Sequence, residues 1–500
     1  MEFFEIDIPF MLLLLVLPLI GTAFCSLVKR DANQGAIMFS GFTLAVALVY
    51  VCAMWTTDFT ESFSTGWIET KYILINFDLY VDGMSMLMIV LTALLVFLVS
   101  IFSSSEKHNP RMFFAMLMAM EVGLMGVYMA HDYFLFYIFW EIVLVPMYFL
   151  ISGWGGPRRH YAAIKFLIYT HVASLVMLIG IFVMVFEAAG ASDQLNFTFS
   201  AVAAAAGGFD QLFQTAAFGL LFFGFAVKMP LVPFHTWLPD AHVEAPTAGS
   251  VLLAGVMLKM GSYGIIRICL EVLPQGAVAW QPFMIVVAIV AIIYGAYACI
   301  AQKDLKKMVA FSSISHMGMV MLAIATLSGM GIGFAIFQMF AHGLITAVLF
   351  MVCGICGHNA GTREIPLLGG LAGKMPIFAA FMMFGFLASL GLPGLVGFVA
   401  EFGIIMSFFE YLLSIDMIWP IIFALAALLL TAGYYLWAMQ RSIFGKETDR
   451  IDLSDVHDVN KAEGFSLGVL CALIALFGIM PSIVMKLIEV VPLVISGVIV

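Results

Sequence analysis

Charge is scarce in this sequence. Asp, Glu, Lys and Arg together supply 10% of its 500 residues, against about 25% in an ordinary globular domain. So few charges cannot wet the surface of a soluble protein this size, which excludes large soluble catalytic domains. Basic residues are the scarcer kind, 21 against 31 acids, and that balance gives no general attraction for DNA or RNA. Cysteine is also sparse. The seven residues Cys25, Cys52, Cys269, Cys299, Cys353, Cys356 and Cys471 lie in apolar stretches and read as buried thiols. Cys353 and Cys356 form a C-x-x-C pair, but structural zinc and iron–sulfur clusters normally need four ligands, and no second pair exists. No nucleotide-binding loop stands out either. G-M-G-I-G at 329–333 sits at a helix start with no strand before it.

What the sequence does have is apolar length, since 63% of it is hydrophobic. A spanning helix needs about 20 apolar residues. Fourteen such segments run near 8–28, 35–56, 84–103, 111–130, 133–152, 161–188, 211–240, 244–270, 279–302, 305–327, 331–357, 373–414, 419–441 and 462–488. The first has acids before it and Lys29-Arg30 after it, where a cleavable signal would carry bases before and small residues after; it reads as a retained helix. The polar gap from Thr57 to Asp82 alternates and is β-branched, as a hairpin outside the bilayer would be. Residues 195–210 read as a surface helix or loop, and Asp132 falls at a turn where water would solvate it.

The bases test this count, because cytoplasmic loops carry the excess of Lys and Arg. With the N-terminus outside, the inner loops and their flanks hold Lys29, Arg30, Lys107, Arg111, Arg158, Arg159, Lys165, Lys303, Lys306, Lys307, Arg363, Lys374, Arg441, Lys446, Arg450 and Lys461. The outer side holds only Lys71, Arg267 and Lys486. The expectation is therefore an all-α integral membrane protein with fourteen spans and both ends outside. Within a single membrane domain, spans 4–8 (111–270) and 9–13 (279–441) form two five-helix blocks that begin on opposite faces, as an inverted repeat requires. Residues 1–103 and 462–500 flank them. The seventh and twelfth spans occupy equivalent places in the blocks. One is interrupted at Pro230 and the other at Gly391 and Pro393. Each proline lacks an amide hydrogen and frees a carbonyl one turn earlier, and such breaks are tolerated only against protein or a wet cavity.

Ionisable groups inside spans cost ~2.5–3.5 kcal/mol or more each, so they are functional candidates. Glu121, Glu141, Lys259, His316 and His342 are central in their segments, and Lys228 precedes the Pro230 break. Blander readings stand beside these. A histidine in an apolar helix can simply satisfy a neighbouring carbonyl, and Lys228 can snorkel from a helix that ends at the proline. As a set, however, the residues are proton-exchanging groups on five or six helices rather than a ligand cage. Pairing and unpairing a buried lysine and Glu141 alters the amine's proton affinity. Three decades of affinity is roughly 4 kcal/mol, about the cost of moving one charge through ~180 mV.

Four runs carry a resemblance: F-H-T-W-L-P-D-A-H-V-E-A-P-T (Phe234 to Thr247), Lys228-Met229-Pro230, F-S-S-I-S-H-M-G (Phe311 to Gly318) and F-D-L-Y-V-D-G-M-S. Over nearly its whole length the chain resembles the antiporter-like subunits of proton-pumping NADH:quinone oxidoreductase, respiratory complex I, and of related multisubunit cation/proton antiporters. Glu401 stands where most members have lysine, and the chain stops after fourteen spans, which resembles the M-type branch, related to mitochondrial subunit 4. The resemblance implies that Glu141 modulates Lys228, that Lys259 is the central carrier, and that His316 and His342 bridge to Glu401 as terminal group. Glu121 is auxiliary, and His235 and His242 are uptake groups or caps. It further implies redox chemistry elsewhere, with NADH, FMN, iron–sulfur clusters and quinone in partner subunits and no cofactor or metal in this chain. Expected partners are the L- and N-type antiporter-like subunits, including the lateral helix of L, with lipids, protons and internal water; the expected location is the bacterial inner membrane. A stand-alone secondary transporter or a cation/proton antiporter subunit remains the alternative.

Overall fold

The computed structural model describes residues 9–28, 31–57, 61–190, 194–448 and 456–489. Lys29, Arg30, Arg450 and both chain ends lie outside the described residues, and with them the expected placement of the termini. Among the described residues, fourteen helices are long and apolar enough to cross a membrane, and they follow the fourteen apolar segments in order. Packing divides the chain into two compact units, Met1–Met147 with Ile181–Gly208, and Tyr148–Gly180 with Phe209–Val500.

The first unit contains α1 (Phe10–Leu27), α2 (Ala32–Thr57), strands β1 (Glu61–Glu69) and β2 (Ile73–Val81), α3 (Gly83–Phe102) and α4 (Pro110–Met129). It also takes the first part of α5 (Tyr133–Trp154), the end of α6 (Arg159–Ala189), β3 (Leu195–Asn196) and α7 (Phe199–Ala205). The expected hairpin is present. β1 pairs antiparallel with β2 from Glu61↔Val81 to Glu69↔Leu74, and β3 adds in parallel through Ile73↔Leu195. Asp82 then starts α3 by accepting from the Ser85 amide at 3.0 Å, the usual means of satisfying an orphan donor at a helix start.

Asp132 corrects an expectation. It is fully buried, not solvated, and its carboxylate accepts from the amides of Asn76, Phe134 and Leu135 at 3.1, 2.9 and 3.1 Å. The turn residue thus fastens β2 to the start of α5. Cys52 is a second correction, since its thiol is exposed rather than buried, and Cys471 is half-buried. Both lie on helices that present an apolar outer face, where a cysteine behaves as a small hydrophobe.

The second unit holds the rest: α8 (Gln211–Lys228), α9 (Trp237–Glu244), α10 (Thr247–Leu252), α11 (Lys259–Gly264), α12 (Pro274–Ile300), α13 (Leu305–Ala325), α14 (Gly329–Asn359), α15 (Leu371–Lys374), α16 (Pro376–Ser389), α17 (Val396–Ser414), α18 (Ile421–Ser442), α19 (Lys461–Ile479) and α20 (Ser482–Glu489). Helices α10 and α11 belong to one span, in which the turns Leu253–Met257 and Ile265–Leu270 are wound as π-helix. Several starts are capped by a side chain. Asp304 accepts from the Lys307 amide at 2.8 Å, and Asn460 and Glu463 form a capping box.

Candidate functional site

Two helix ends shape the site. α8 stops at Lys228 because Pro230 has no amide hydrogen to offer. The Leu231 amide reaches back to the Ala226 carbonyl at 2.9 Å, and the Val227 carbonyl is satisfied by the Trp237 indole at 3.0 Å. The chain then turns through 229–236 before α9. At the second break, Gly391 sits in the left-handed region (φ 78°) and closes α16. The Leu392 amide bonds Leu387 at 3.0 Å and the Gly391 amide bonds Ala388 at 3.4 Å, the pairing of a glycine-ended helix. A Cβ at Gly391 would lie 2.7 Å from Glu401 Oε2, so the glycine also makes room for the Glu401 carboxylate. Pro393 follows in the same turn, before α17 starts at Val396.

Lys259 lies between the two π turns and is fully buried. Its Nζ donates to the Ala254 carbonyl, in the first π turn, and meets His342 Nδ1 of α14 at 2.9 Å. The His342 ring lies 5.5 Å, centroid to centroid, from that of His316 on α13. His316 Nδ1 is 3.2 Å from Glu401 Oε1 on α17, and its Nε2 is 3.2 Å from Ser389 Oγ. All four ionisable residues are 5% exposed or less. They form a line of exchangeable groups over four helices, with one gap, between the two imidazoles, that no direct hydrogen bond spans.

A hydroxyl branch leaves this line. Ser389 Oγ donates to Tyr435 OH at 2.8 Å, and Tyr435 OH donates to Ser312 Oγ at 3.0 Å, all buried. Sequence reasoning missed it, because hydroxyls in an apolar helix usually bond their own backbone one turn back and leave no mark in hydropathy.

Lys228 is 1% exposed, with Nζ 5.7 Å from the centre of the Phe166 ring, a cation–π arrangement. Its helix touches that of Lys259 backbone to backbone: a Cβ at Gly261 would lie 2.6 Å from the Phe225 carbonyl oxygen and 2.8 Å from the Met229 amide. α9 is tied down by Lys165–Asp240 at 2.7 Å and by Glu244, which accepts from the Arg158 amide at 2.9 Å. His235, 6% exposed, sits against the Tyr294 ring at 4.7 Å; His242, fully buried, lies flat on Phe350 at 4.5 Å. Glu141 is half-buried on α5 in the first unit. Glu121 is fully buried on α4 there, and neither carboxylate oxygen has a hydrogen-bond partner among the described residues. Lys306, counted with the loop charges, is instead 3% exposed and donates to the Ala245 carbonyl at 2.5 Å. Arg267, placed on the outer side, is 5% exposed and pairs with Glu271 at 3.1 Å. Among the described residues no three His, Cys, Asp or Glu come together as a metal cage.

Fourteen apolar helices and, within the second unit, a buried line of amine, imidazoles and carboxylate define an antiporter-like membrane subunit. Comparison with known proteins agrees. Residues 130–443 match the family model described as "NADH:quinone oxidoreductase/Mrp antiporter, TM". F(420)H(2) dehydrogenase subunit M of Methanosarcina mazei is 42% identical over 91% of this chain and 90% of that protein. NADH-quinone oxidoreductase subunit M of Rhodobacter capsulatus is 39% identical over 83% of this chain and 81% of that protein. A chain in the structure of respiratory complex I from Thermus thermophilus with bound NADH superposes with TM-score 0.85 and 27% identity, covering 96% of this chain and 98% of that one. The chain belongs to the NADH:quinone oxidoreductase/Mrp antiporter family of membrane subunits.

Proposed function

We propose that this chain is the M-type, proton-translocating antiporter-like subunit of a respiratory NADH:quinone oxidoreductase. The observation that carries the proposal is the buried line Lys259–His342–His316–Glu401. Groups within hydrogen-bond reach, as Lys259 and His342 are and His316 and Glu401 are, pass a proton by breaking one N–H or O–H bond as the next forms; a bridging water or a ring movement carries it across the gap between the two imidazoles, and burial keeps it on the line. Lys259 is the central carrier and His342 and His316 are the relays. Glu401 is the terminal group. With its proton given to Tyr435, Ser389 Oγ accepts from His316 Nε2, so the hydroxyls favour the Nε2–H form and leave Nδ1 to exchange a proton with Glu401. Lys228, next to the broken end of α8, loads Lys259, and Glu141 modulates it by charge.

In this reading the redox chemistry, with NADH, FMN, iron–sulfur clusters and quinone, belongs to partner subunits. The electron donor is theirs to set, which fits a relative named for F(420)H(2) dehydrogenase. L- and N-type subunits are the neighbours, the bacterial inner membrane is the location, and spans 4–8 and 9–13 are inverted repeats with both chain ends outside. The test uses the assembled enzyme in proteoliposomes. Lys228→Ala, Glu141→Ala and Glu401→Gln should each lower protons moved per quinone reduced several-fold. Unchanged coupling in all three would leave the chain a structural subunit, and sodium uptake in place of proton uptake would favour the cation/proton antiporter reading.

A further inference from the structure

The hydroxyl branch beside His316 ends where no proton can leave. Ser389 is the last residue of α16, Tyr435 stands on α18, and Ser312 lies on α13, one turn before His316 itself. Ser312 Oγ in turn donates to the Val309 carbonyl of the same helix at 2.8 Å. The branch therefore leaves α13 at His316, visits two other helices and returns to α13. The imidazole and the three hydroxyl residues are all 5% exposed or less. A carbonyl only accepts, and each hydroxyl has a single hydrogen to give. With Ser312 turned to Val309, Tyr435 to Ser312 and Ser389 to Tyr435, no hydrogen is left for His316, so its Nε2 supplies one. The Tyr435 ring is held apart from its hydroxyl, 4.8 Å from the Phe386 ring and 4.5 Å from that of Tyr434. Only Nδ1 of His316 is then open to exchange, and it faces Glu401. Across the gap, His342 Nε2 has no hydrogen-bond partner among the described residues.

We infer that Tyr435 is a positioning residue that makes His316 a one-port relay: every proton enters and leaves through Nδ1, while Nε2 keeps its hydrogen on Ser389. The inference rests on the proton-translocating reading above and adds what stops protons from running back along the line. A proton from the His342 side bonds to Nδ1 and gives the imidazolium. That same N–H bond breaks when Glu401 Oε1 takes the proton, and His316 is back in its starting form with no ring flip. Both steps use one lone pair, so His316 serves the His342 side or Glu401 but not both at once, and the line never becomes a continuous wire. Without the Tyr435 hydroxyl, Ser389 has its hydrogen free for Nε2. The ring then holds its own hydrogen on Nδ1, takes a proton at Nε2 and gives one from Nδ1, which is a two-port wire.

The test compares variants of the assembled enzyme in proteoliposomes by two readouts: protons moved per quinone reduced, and proton back-flow under an imposed gradient with no quinone reduced. Tyr435→Phe keeps the packed ring and removes only the hydroxyl. It should lower the first several-fold and raise the second several-fold. Ser389→Ala should do the same, and Ser389→Thr, which keeps a hydroxyl, should recover most of what Ser389→Ala loses. Wild-type values of both readouts in Tyr435→Phe would overturn the relay. So would lower coupling with unchanged back-flow, since that is the mark of a merely structural hydroxyl. If Tyr435→Phe does not assemble, Ser389→Ala set against Ser389→Thr decides by the same two readouts. Glu401→Gln run in parallel separates the two failures: if it uncouples while Tyr435→Phe and Ser389→Ala do not, the one-port relay falls and the parent reading stands. If none of the three changes coupling, the parent reading falls first.

Discussion

At Glu401 a single carboxylate meets an imidazole on one side and a glycine on the other, and both contacts are set by residues whose types could be read in the sequence. His316, His342, Lys259 and Glu401 were legible because each is an expensive group in an apolar run, and the family resemblance put them in series. The structure adds their distances and the hydroxyls beside them. Lys306 was illegible as a buried group, since a lysine at a helix start next to Asp304 looks like any loop cation, and only the fold brings it to the Ala245 carbonyl. Gly391 supports a prediction at this scale. Alanine there must adopt a left-handed conformation, costing about 1–2 kcal/mol, and its Cβ would press on the Glu401 carboxylate. Gly394→Ala has comparable backbone strain (φ 93°) but meets nothing within 4 Å. Both variants should lower the denaturation midpoint of the solubilised enzyme, and only Gly391→Ala should reduce proton uptake as well.

Elements carry the next set of consequences, because the breaks and turns hold the spans in phase. The end of α8 depends on the Trp237 indole, which satisfies the Val227 carbonyl. Trp237→Phe keeps most of the apolar bulk and leaves that carbonyl orphaned in a buried place, a loss of about 1–3 kcal/mol. The expected result is a lower unfolding midpoint together with slower proton uptake, since Lys228 sits on that last turn. At the start of α5, burial pushes the Asp132 carboxyl up from 3.8 to about 6. The folded state then binds a proton more tightly than the unfolded chain does, so this residue favours folding fully below pH 3.8 and loses that contribution as pH rises to about 6, by about 3 kcal/mol. Asp132→Asn should flatten the midpoint-against-pH curve between those values; an unchanged slope would refute this origin. The helix breaks were legible from Pro230, Gly391 and Pro393. The π turns on either side of Lys259 were not, because no residue type marks them.

For the whole molecule, sequence hydropathy was sufficient for the fourteen spans, and the asymmetry of Lys and Arg gave their expected direction. Direction has a direct check. Cysteines introduced at Lys446 and at Lys71, both exposed, should react with an impermeant thiol reagent from opposite sides, Lys446→Cys from the cytoplasmic face and Lys71→Cys from the other; labelling from one side would overturn the parity. The misread residues, Asp132 and Cys52, share a cause: local composition places a residue in a turn or a span, but which neighbours cover it is settled by contacts distant in the chain. The helix that carries Lys259 is the extreme case, buried at every residue from Ala248 to Leu270. A segment bearing lysine and arginine is a poor substrate for insertion by itself, and Lys259 emerges from the ribosome 83 residues ahead of the histidine that receives its Nζ. During synthesis, then, this span is covered in full only once α12 and α14, which pack on it, have followed. Biogenesis of the protein, as much as its proton transfer, turns on the order in which the second unit is delivered to the membrane.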